Sequence, residues 1–206
     1  MNKLRAMAEN GPPDKFRLFV AITVPDAVRE EVLRVQRELQ PLAPRGVVRW
    51  TKPDQFHLTL RFLGDVSSER VTGLQDSLRA VCSGIASLQL RAQGLGFFPN
   101  ARSPRVVWAG ITDAEDRLLD LQRKIQAAVQ PFTAEQGDER FAGHLTLGRF
   151  KPSGHLKIKS LTDQAEVMKS RTFGEWTARE IELIRSELSP IGACYTSLAA
   201  CPLGED

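Results

Sequence analysis

The tetrapeptide His-Leu-Thr-Leu occurs twice in this chain of 206 residues, at positions 57–60 and 144–147, and it uses two of the three histidines. Strand-forming residues follow both copies. Because successive side chains of a strand point to opposite faces, each histidine should share a face with its threonine, and the leucines should point into the core. The repeat therefore predicts two similar halves, each presenting an imidazole and a hydroxyl.

Helix and strand patterns alternate along the rest of the chain. Apolar residues spaced three and four apart predict helices that begin near 26, 67 and 112, the last at a capping box, and a weaker helix over 161–169. A loop rich in Gly, Pro and Asn is expected over 94–104. Strands are expected at 16–22, 47–50, 56–63, 88–92, 105–109, 144–150, 180–186 and 195–199.

No segment rich in Gly, Ser or Pro separates the two halves. We therefore expect one α+β domain over 16–206, preceded by a flexible N-terminal extension over 1–15. The net charge of +3 is too small for non-specific binding of nucleic acid across a whole face. The chain shows no apolar run long enough for a membrane span, and its three cysteines lack C-x-x-C spacing. These features predict a cytoplasmic protein without a membrane partner, and we expect a monomer.

Two matched histidines suit the cleavage of a cyclic phosphodiester. One neutral imidazole can take a proton from the attacking water while a protonated one gives a proton to the departing ribose oxygen. Both states are accessible because the ordinary pKa of histidine, about 6.5, lies near neutral pH. The hydroxyls of Thr59 and Thr146 can donate to the phosphate oxygens, where negative charge accumulates. His57 and His144 are therefore the candidate catalytic residues, if their strands meet.

Zinc is the alternative use for paired histidines. A catalytic zinc site needs three protein ligands, and neither histidine has a second ligand-type residue at H-x-x-x-H or similar spacing. The third histidine, His155, lies in a loop context and is expected to be solvated. The pattern therefore predicts no metal and no cofactor.

The motifs resemble those of the two-histidine (2H) phosphoesterase superfamily, and in particular its branch of RNA 2',3'-cyclic phosphodiesterases, also called 2'-5' RNA ligases (LigT-like). The likeness extends over most of the chain, from 16 to about 203. Segments that carry it are 16–22, 48–50, 57–64, 104–110 and 185–190, together with Tyr195.

This resemblance implies an α+β bilobal fold, in which two pseudo-symmetric lobes of antiparallel strands, with helices outside, surround a central cleft. It implies metal-independent hydrolysis of RNA 2',3'-cyclic phosphate ends to 2'-phosphomonoesters, and 2'-5' joining in the reverse direction. By position, His57 would be the proton donor and His144 the acceptor, while Thr59 and Thr146 would hold the phosphate. The chain departs from the family at Gly143, where proline is common, and a glycine should loosen the backbone before His144.

Two arginines are further candidates for phosphate binding. Arg61 follows Thr59 by two residues, so regular alternation places its guanidinium in the cleft. Arg149 resembles the arginine that follows the second motif of the family, but it is out of alternation with His144 and Thr146. A bend of the strand is needed to bring Arg149 to the phosphate.

Aromatic side chains could stack on an unpaired base, and Phe56, Trp50 and Tyr195 are the candidates. The lysines within 151–159 could follow an RNA backbone. Two other functions stay open at this point. A fold of this kind can bind nucleotides or RNA without turnover, or it can cleave a small cyclic nucleotide rather than an RNA end.

Overall fold

The computed structural model of the chain describes residues 14–137, 140–152, 158–189 and 192–204. The predicted N-terminal extension falls almost wholly outside this range. Lys15 already belongs to the first strand. The first strand therefore begins one residue before the start expected at 16, and the domain boundary stays a prediction.

Helices and strands are interleaved along the described residues, as predicted for an α+β fold. The α-helices are α1 (Asp26–Leu39), α2 (Val71–Cys82), α3 (Arg117–Val129) and α4 (Lys159–Val167). The strands are β1 (Lys15–Thr23), β2 (Val48–Trp50), β3 (His57–Ser67), β4 (Leu88–Phe98), β5 (Val106–Thr112), β6 (His144–Phe150), β7 (Thr172–Ala178), β8 (Glu180–Ser189) and β9 (Gly192–Pro202).

The strands form one antiparallel sheet in the order β7-β4-β5-β6-β3-β1-β8-β9, with β2 paired to β6 beside this path. The two motif strands, β3 and β6, are neighbours at its centre, where Leu58 pairs with Leu145. We call β3, β1, β8 and β9 the first half-sheet, and β6, β5, β4 and β7 the second. In both halves the motif strand lies at the junction and pairs on its outer side with the strand that precedes it through one helix, β1 before α1 and β5 before α3. This correspondence agrees with the predicted pseudo-symmetric arrangement.

Helices α1 and α3 pack crosswise on the two half-sheets. Helix α1 follows β1 of the first half-sheet but packs on β7 of the second, whereas α3 follows β5 of the second and packs on β3 of the first. Their apolar stripes are buried, as the helical spacing predicted. This crossing lets side chains of α1 and α3 reach the motif strand of the opposite half-sheet. No helix among the described residues is long and apolar enough to cross a bilayer.

Three local predictions were wrong. The expected loop over 94–104 starts later, because Gly94 takes a positive φ of 69° at a bulge and β4 continues to Phe98. Helix α3 begins at Arg117 rather than 112, because the carboxylate of Asp113 accepts backbone N–H bonds there in place of the expected capping box. Strand β7 was not predicted at all, and it pairs with β4.

Candidate active site

The two motifs meet in one cleft. Leu58 and Leu145 pair across the junction of the half-sheets and are fully buried. The histidine and threonine on either side of each leucine point to the opposite face of the sheet. Both histidines and both threonines line a single cavity of about 610 Å³. The prediction that the repeat places two His/Thr pairs on one cleft is confirmed.

Each imidazole is anchored through the same ring nitrogen. Nδ1 of His57 lies 2.7 Å from the carbonyl oxygen of Gln55, and Nδ1 of His144 lies 2.8 Å from that of Ala142. A carbonyl can only accept, so Nδ1 must carry the proton in both rings. Nε2 is therefore the nitrogen left for chemistry in the cleft, with a lone pair when the ring is neutral.

The electrostatic setting of His57 favours its neutral form. Burial lowers the pKa of His57 from 6.5 to about 4; the bond to the Gln55 carbonyl opposes this shift, and the charges of Arg149 and His144 add to it. Phe19 packs against the ring at 4.9 Å between centroids, and Tyr195 meets it edge-on at 5.4 Å. At pH 7 His57 is thus neutral.

His144 has a different aromatic surround. Phe98 meets its ring edge-on at 4.9 Å, and Trp108 lies 6.3 Å away. Gly143 precedes it, and the expectation of a loosened backbone there was wrong. The Gly143 carbonyl accepts a bond of 2.8 Å from Ile111, and a Cβ at this position would lie 2.9 Å from the Ile111 carbonyl oxygen. The glycine therefore allows β5 to pack closely and holds the approach to His144.

Both motif strands carry a bulge directly after the threonine. Along β3, Thr59 and Arg61 pair with consecutive residues of β1, which leaves Leu60 as the extra residue. Along β6, Thr146 and Gly148 pair with consecutive residues of β5, which leaves Leu147 as the extra residue. A bulge shifts the alternation of side chains by one, so the residues beyond it exchange faces.

Two buried glutamines accompany these bulges. The side-chain amide of Gln36 in α1 donates hydrogen bonds to the carbonyls of Leu147, at 2.9 Å, and Thr51, at 2.8 Å. Gln122 of α3 donates to the carbonyl of Leu60 over a longer distance of 3.5 Å. Both glutamines are 2% exposed. A buried carbonyl that leaves the ladder needs another donor, and the crosswise helices supply it.

The prediction for Arg61 was wrong, and the bulge in β3 is the reason. Arg61 is 5% exposed, does not line the cavity, and donates to the carbonyls of Glu135 and Gln136. Phe62 takes the cleft position instead and is 56% exposed. Regular alternation places Phe62 on the core face, so it was missed as a cleft residue. The available signal was the pair Arg61-Phe62, in which the arginine would otherwise face the cleft and the phenylalanine the core.

The bulge in β6 has the opposite consequence for Arg149. It supplies the bend that the sequence analysis required, and Arg149 lines the cavity with both histidines. Its charge also acts on His57. Arg49 and Lys52, which were not singled out from the sequence, line the same cavity. The described lining residues include no Asp or Glu, so the cleft is cationic.

The aromatic candidates divide between core and cleft. Phe56 is 6% exposed and belongs to the hydrophobic core, so its stacking on a base is ruled out by burial. Trp50 and Tyr195 line the cavity. Burial raises the pKa of Tyr195 against the charges of nearby arginines, so its phenol keeps its proton at neutral pH.

The lysine-rich loop lies only partly within the described residues, because 153–157, including His155, fall outside them. Lys159 is described, and it pairs with Asp163 of its own helix. Among the described residues, no group of three His, Cys, Asp or Glu side chains is placed to hold a metal ion. The described residues offer two imidazoles, two threonine hydroxyls, two guanidinium groups and one ammonium group around one space.

Comparison with known proteins gives consistent results. The model of the family described as LigT like Phosphoesterase matches residues 22–108. The RNA 2',3'-cyclic phosphodiesterase of Archaeoglobus fulgidus is 34% identical over 183 residues, which cover 89% of this chain and 98% of the relative. That of Thermus thermophilus is 32% identical over 192 residues, covering 89% and 88%.

Solved structures share the fold. TT0787 of Thermus thermophilus superposes with a TM-score of 0.74 at 29% identity, covering 92% of this chain and 99% of that one. E. coli LigT complexed with 3'-AMP superposes with a TM-score of 0.73 at 23% identity, covering 92% and 98%.

Proposed function

The chain belongs to the LigT-like phosphoesterase family of RNA 2',3'-cyclic phosphodiesterases, and we propose from this that it hydrolyses 2',3'-cyclic phosphate ends of RNA to 2'-phosphomonoesters. The observation that carries the proposal is the convergence of His57 and His144 on one cavity. In both rings Nδ1 donates to a backbone carbonyl, so Nε2 is the nitrogen that can exchange a proton with the substrate.

The reaction needs one acceptor and one donor of protons. A water molecule attacks phosphorus while one imidazole takes its proton at Nε2. The bond from phosphorus to the 3' oxygen breaks, and the other imidazole gives its proton to that oxygen. The phosphate then remains on the 2' oxygen, and the pair of histidines again carries one proton.

The resemblance assigns donation to His57 and acceptance to His144, and we keep that assignment in the proposal. His57 is neutral at pH 7 because its pKa is about 4. Donation by His57 therefore requires that its proton be taken up with the substrate. The phosphate anion favours this uptake, since it offsets the charge of Arg149 that lowers the pKa of His57.

Three side chains are placed to hold the phosphate. Thr59 and Thr146 present hydroxyls on the face that carries the histidines, and Arg149 adds a guanidinium. These donors stabilise the negative charge that grows on the non-bridging oxygens. Arg61 has no part in this set, because its guanidinium is bound to backbone carbonyls elsewhere.

Neither a metal nor a cofactor has a step in this scheme, because the imidazoles move the protons and the arginine supplies the positive charge. Metal independence is thus part of the proposal. Joining of RNA ends through a 2'-5' linkage would use a 5' ribose hydroxyl in place of water. The hydroxyl would attack phosphorus and give its proton to one imidazole, while the P–O3' bond breaks and the 3' oxygen takes a proton from the other imidazole. A monomeric state and a cytoplasmic location stay predictions.

The proposal is tested by following hydrolysis of a short RNA with a 2',3'-cyclic end, and of 2',3'-cyclic AMP, with EDTA present throughout. We expect turnover in EDTA and a 2'-phosphate as the product. A 3'-phosphate product or dependence on added metal would contradict the scheme. Tight binding without turnover would favour a binding module, and turnover of cyclic AMP alone would favour a small-nucleotide phosphodiesterase.

A further inference from the structure

Two arginines face each other at one end of the cavity. In the pairing of β2 with β6, Arg49 lies directly opposite Arg149, and both side chains line the cavity. Like charges directly opposite on an antiparallel pair destabilise it. Within residues 14–137, 140–152, 158–189 and 192–204, the ion pairs include neither arginine. A bound anion would relieve this repulsion.

The position of Arg49 is rigidly held. Strand β2 is short, yet the N–H of Thr51 bonds to the carbonyl of Leu147, and Gln36 bonds to the carbonyls of both residues. Gly148 lets the two strands approach closely, because a Cβ there would lie 2.6 Å from a methyl of Val48. The backbone around Arg49 is therefore tied to the same bulge that places Arg149.

The surroundings of Arg49 suit a nucleic-acid backbone. Arg149, Arg17 and Arg49 all lower the pKa of Tyr195 against its burial, so three guanidinium groups lie near one aromatic side chain of the cleft. Asp54 is the acidic group that acts in the opposite direction there. Arg49 and Arg149 both line the cavity, so its cationic end carries at least two positive charges.

The reacting phosphate does not account for Arg49. A cyclic phosphodiester carries a single negative charge, and Arg149 with the two threonines already faces it. In an RNA the next anion is the phosphodiester on the 5' side of the terminal nucleotide. Paired side chains on neighbouring strands start about 5 Å apart, the same order as the spacing of successive phosphates along a strand.

We propose that Arg49 forms a second anion subsite, which binds the phosphodiester linking the terminal nucleotide of the substrate to its 5' neighbour. This inference rests on the proposed function, and it adds a source of substrate preference. The enzyme would favour an oligonucleotide end over a mononucleotide cyclic phosphate, because only the oligonucleotide carries the second anion.

The test compares kcat/KM for 2',3'-cyclic AMP and for the dinucleotide ApA with a 2',3'-cyclic end. In Arg49→Met we expect kcat/KM for the dinucleotide to fall about tenfold or more, which is the usual contribution of a hydrogen bond to a charged group. For cyclic AMP we expect kcat/KM to fall less than about twofold. Arg123→Met, an exposed arginine of α3 outside the cavity, is the control for loss of one positive charge. It should leave both values unchanged.

A change in the substrate gives an independent readout with the wild-type protein. A dinucleotide whose linkage is a neutral methylphosphonate should lose about as much as Arg49→Met does, and the variant should add no further loss on it. Equal losses on both substrates in Arg49→Met would mean that Arg49 holds the reacting phosphate, and no loss on either would remove it from binding; both results overturn the subsite. Absence of wild-type turnover on both substrates would instead overturn the proposed function, and the subsite with it.

Discussion

The two half-sheets use the same backbone scheme for opposite chemistry. In each, a motif strand pairs with an antiparallel neighbour, bulges one residue after the threonine, and receives a bond from a buried glutamine of the helix that crosses over. The fifth residue after the histidine then enters the cleft in both. It is Phe62 in the first half-sheet and Arg149 in the second.

This difference shows how a repeated scaffold can make an asymmetric site. The first half-sheet surrounds His57 with Phe19 and Tyr195 and places Phe62 in the cleft. The second supplies the guanidinium of Arg149. Burial and that charge together lower the pKa of His57, and the two imidazoles of the repeat have different aromatic neighbours.

The largest expected effect is a pH dependence of the free energy of unfolding, which follows from the burial of His57. Its pKa is about 4 in the folded protein and near 6.5 in the unfolded chain, so between these values the unfolded state binds more protons. The contribution is present above pH 6.5 and is lost as pH falls through 4. We expect the free energy of unfolding of the wild type to drop by about 3 kcal/mol relative to His57→Gln between pH 7 and 4.

Urea denaturation of both proteins across this pH range measures that difference, in which the other titrating groups cancel. A difference that stays constant with pH would show that His57 is not buried in the neutral form.

The next effect compares the two residues at the fifth position. Arg149→Met removes the charge that faces the phosphate, and we expect kcat/KM for 2',3'-cyclic AMP to fall by about a hundredfold. Phe62→Met keeps an apolar side chain of similar length and should cost only a few fold. Steady-state kinetics measure kcat/KM for both variants. Similar losses in the two would contradict a cleft in which only the second half-sheet supplies charge at this position.

The smallest effect compares the two glutamines. Gln36→Met removes two hydrogen bonds to backbone carbonyls and should cost about 1–3 kcal/mol of stability, although the carbonyl of Leu147 keeps the N–H of Thr51 as a donor. Gln122→Met, which loses one long hydrogen bond to the bulge, should cost less. Gln36→Met should also lower kcat/KM by misplacing Arg149. Its effect on kcat/KM should therefore shrink in an Arg149→Met background, and additive losses would show that Gln36 acts on stability alone.

Sequence reasoning located the centre of the site because the centre depends on local pattern. His57, Thr59, His144 and Thr146 precede the bulges, so simple alternation placed them correctly. The same rule failed for Arg61, since one extra residue in β3 exchanges the faces beyond it.

The rest of the site depends on pairing between distant segments. The opposition of Arg49 to Arg149 requires the register of β2 on β6, and the roles of Gln36 and Gln122 require the crossing of α1 and α3. No periodicity within a single segment carries that information. Strand β7 was missed in the same way, because its partner, β4, lies far away in the chain.

The most direct test of the central claim, that two matched histidines divide the donation and acceptance of protons, replaces the 3' oxygen of the cyclic substrate by sulphur. A thiolate departs without a donated proton. Each single alanine variant should lose about 10² to 10⁴ in rate on the oxygen substrate. On the sulphur substrate His57→Ala should recover most of its loss, while His144→Ala should not. Recovery by His144→Ala alone would reverse the roles, and no recovery by either variant would contradict the division itself.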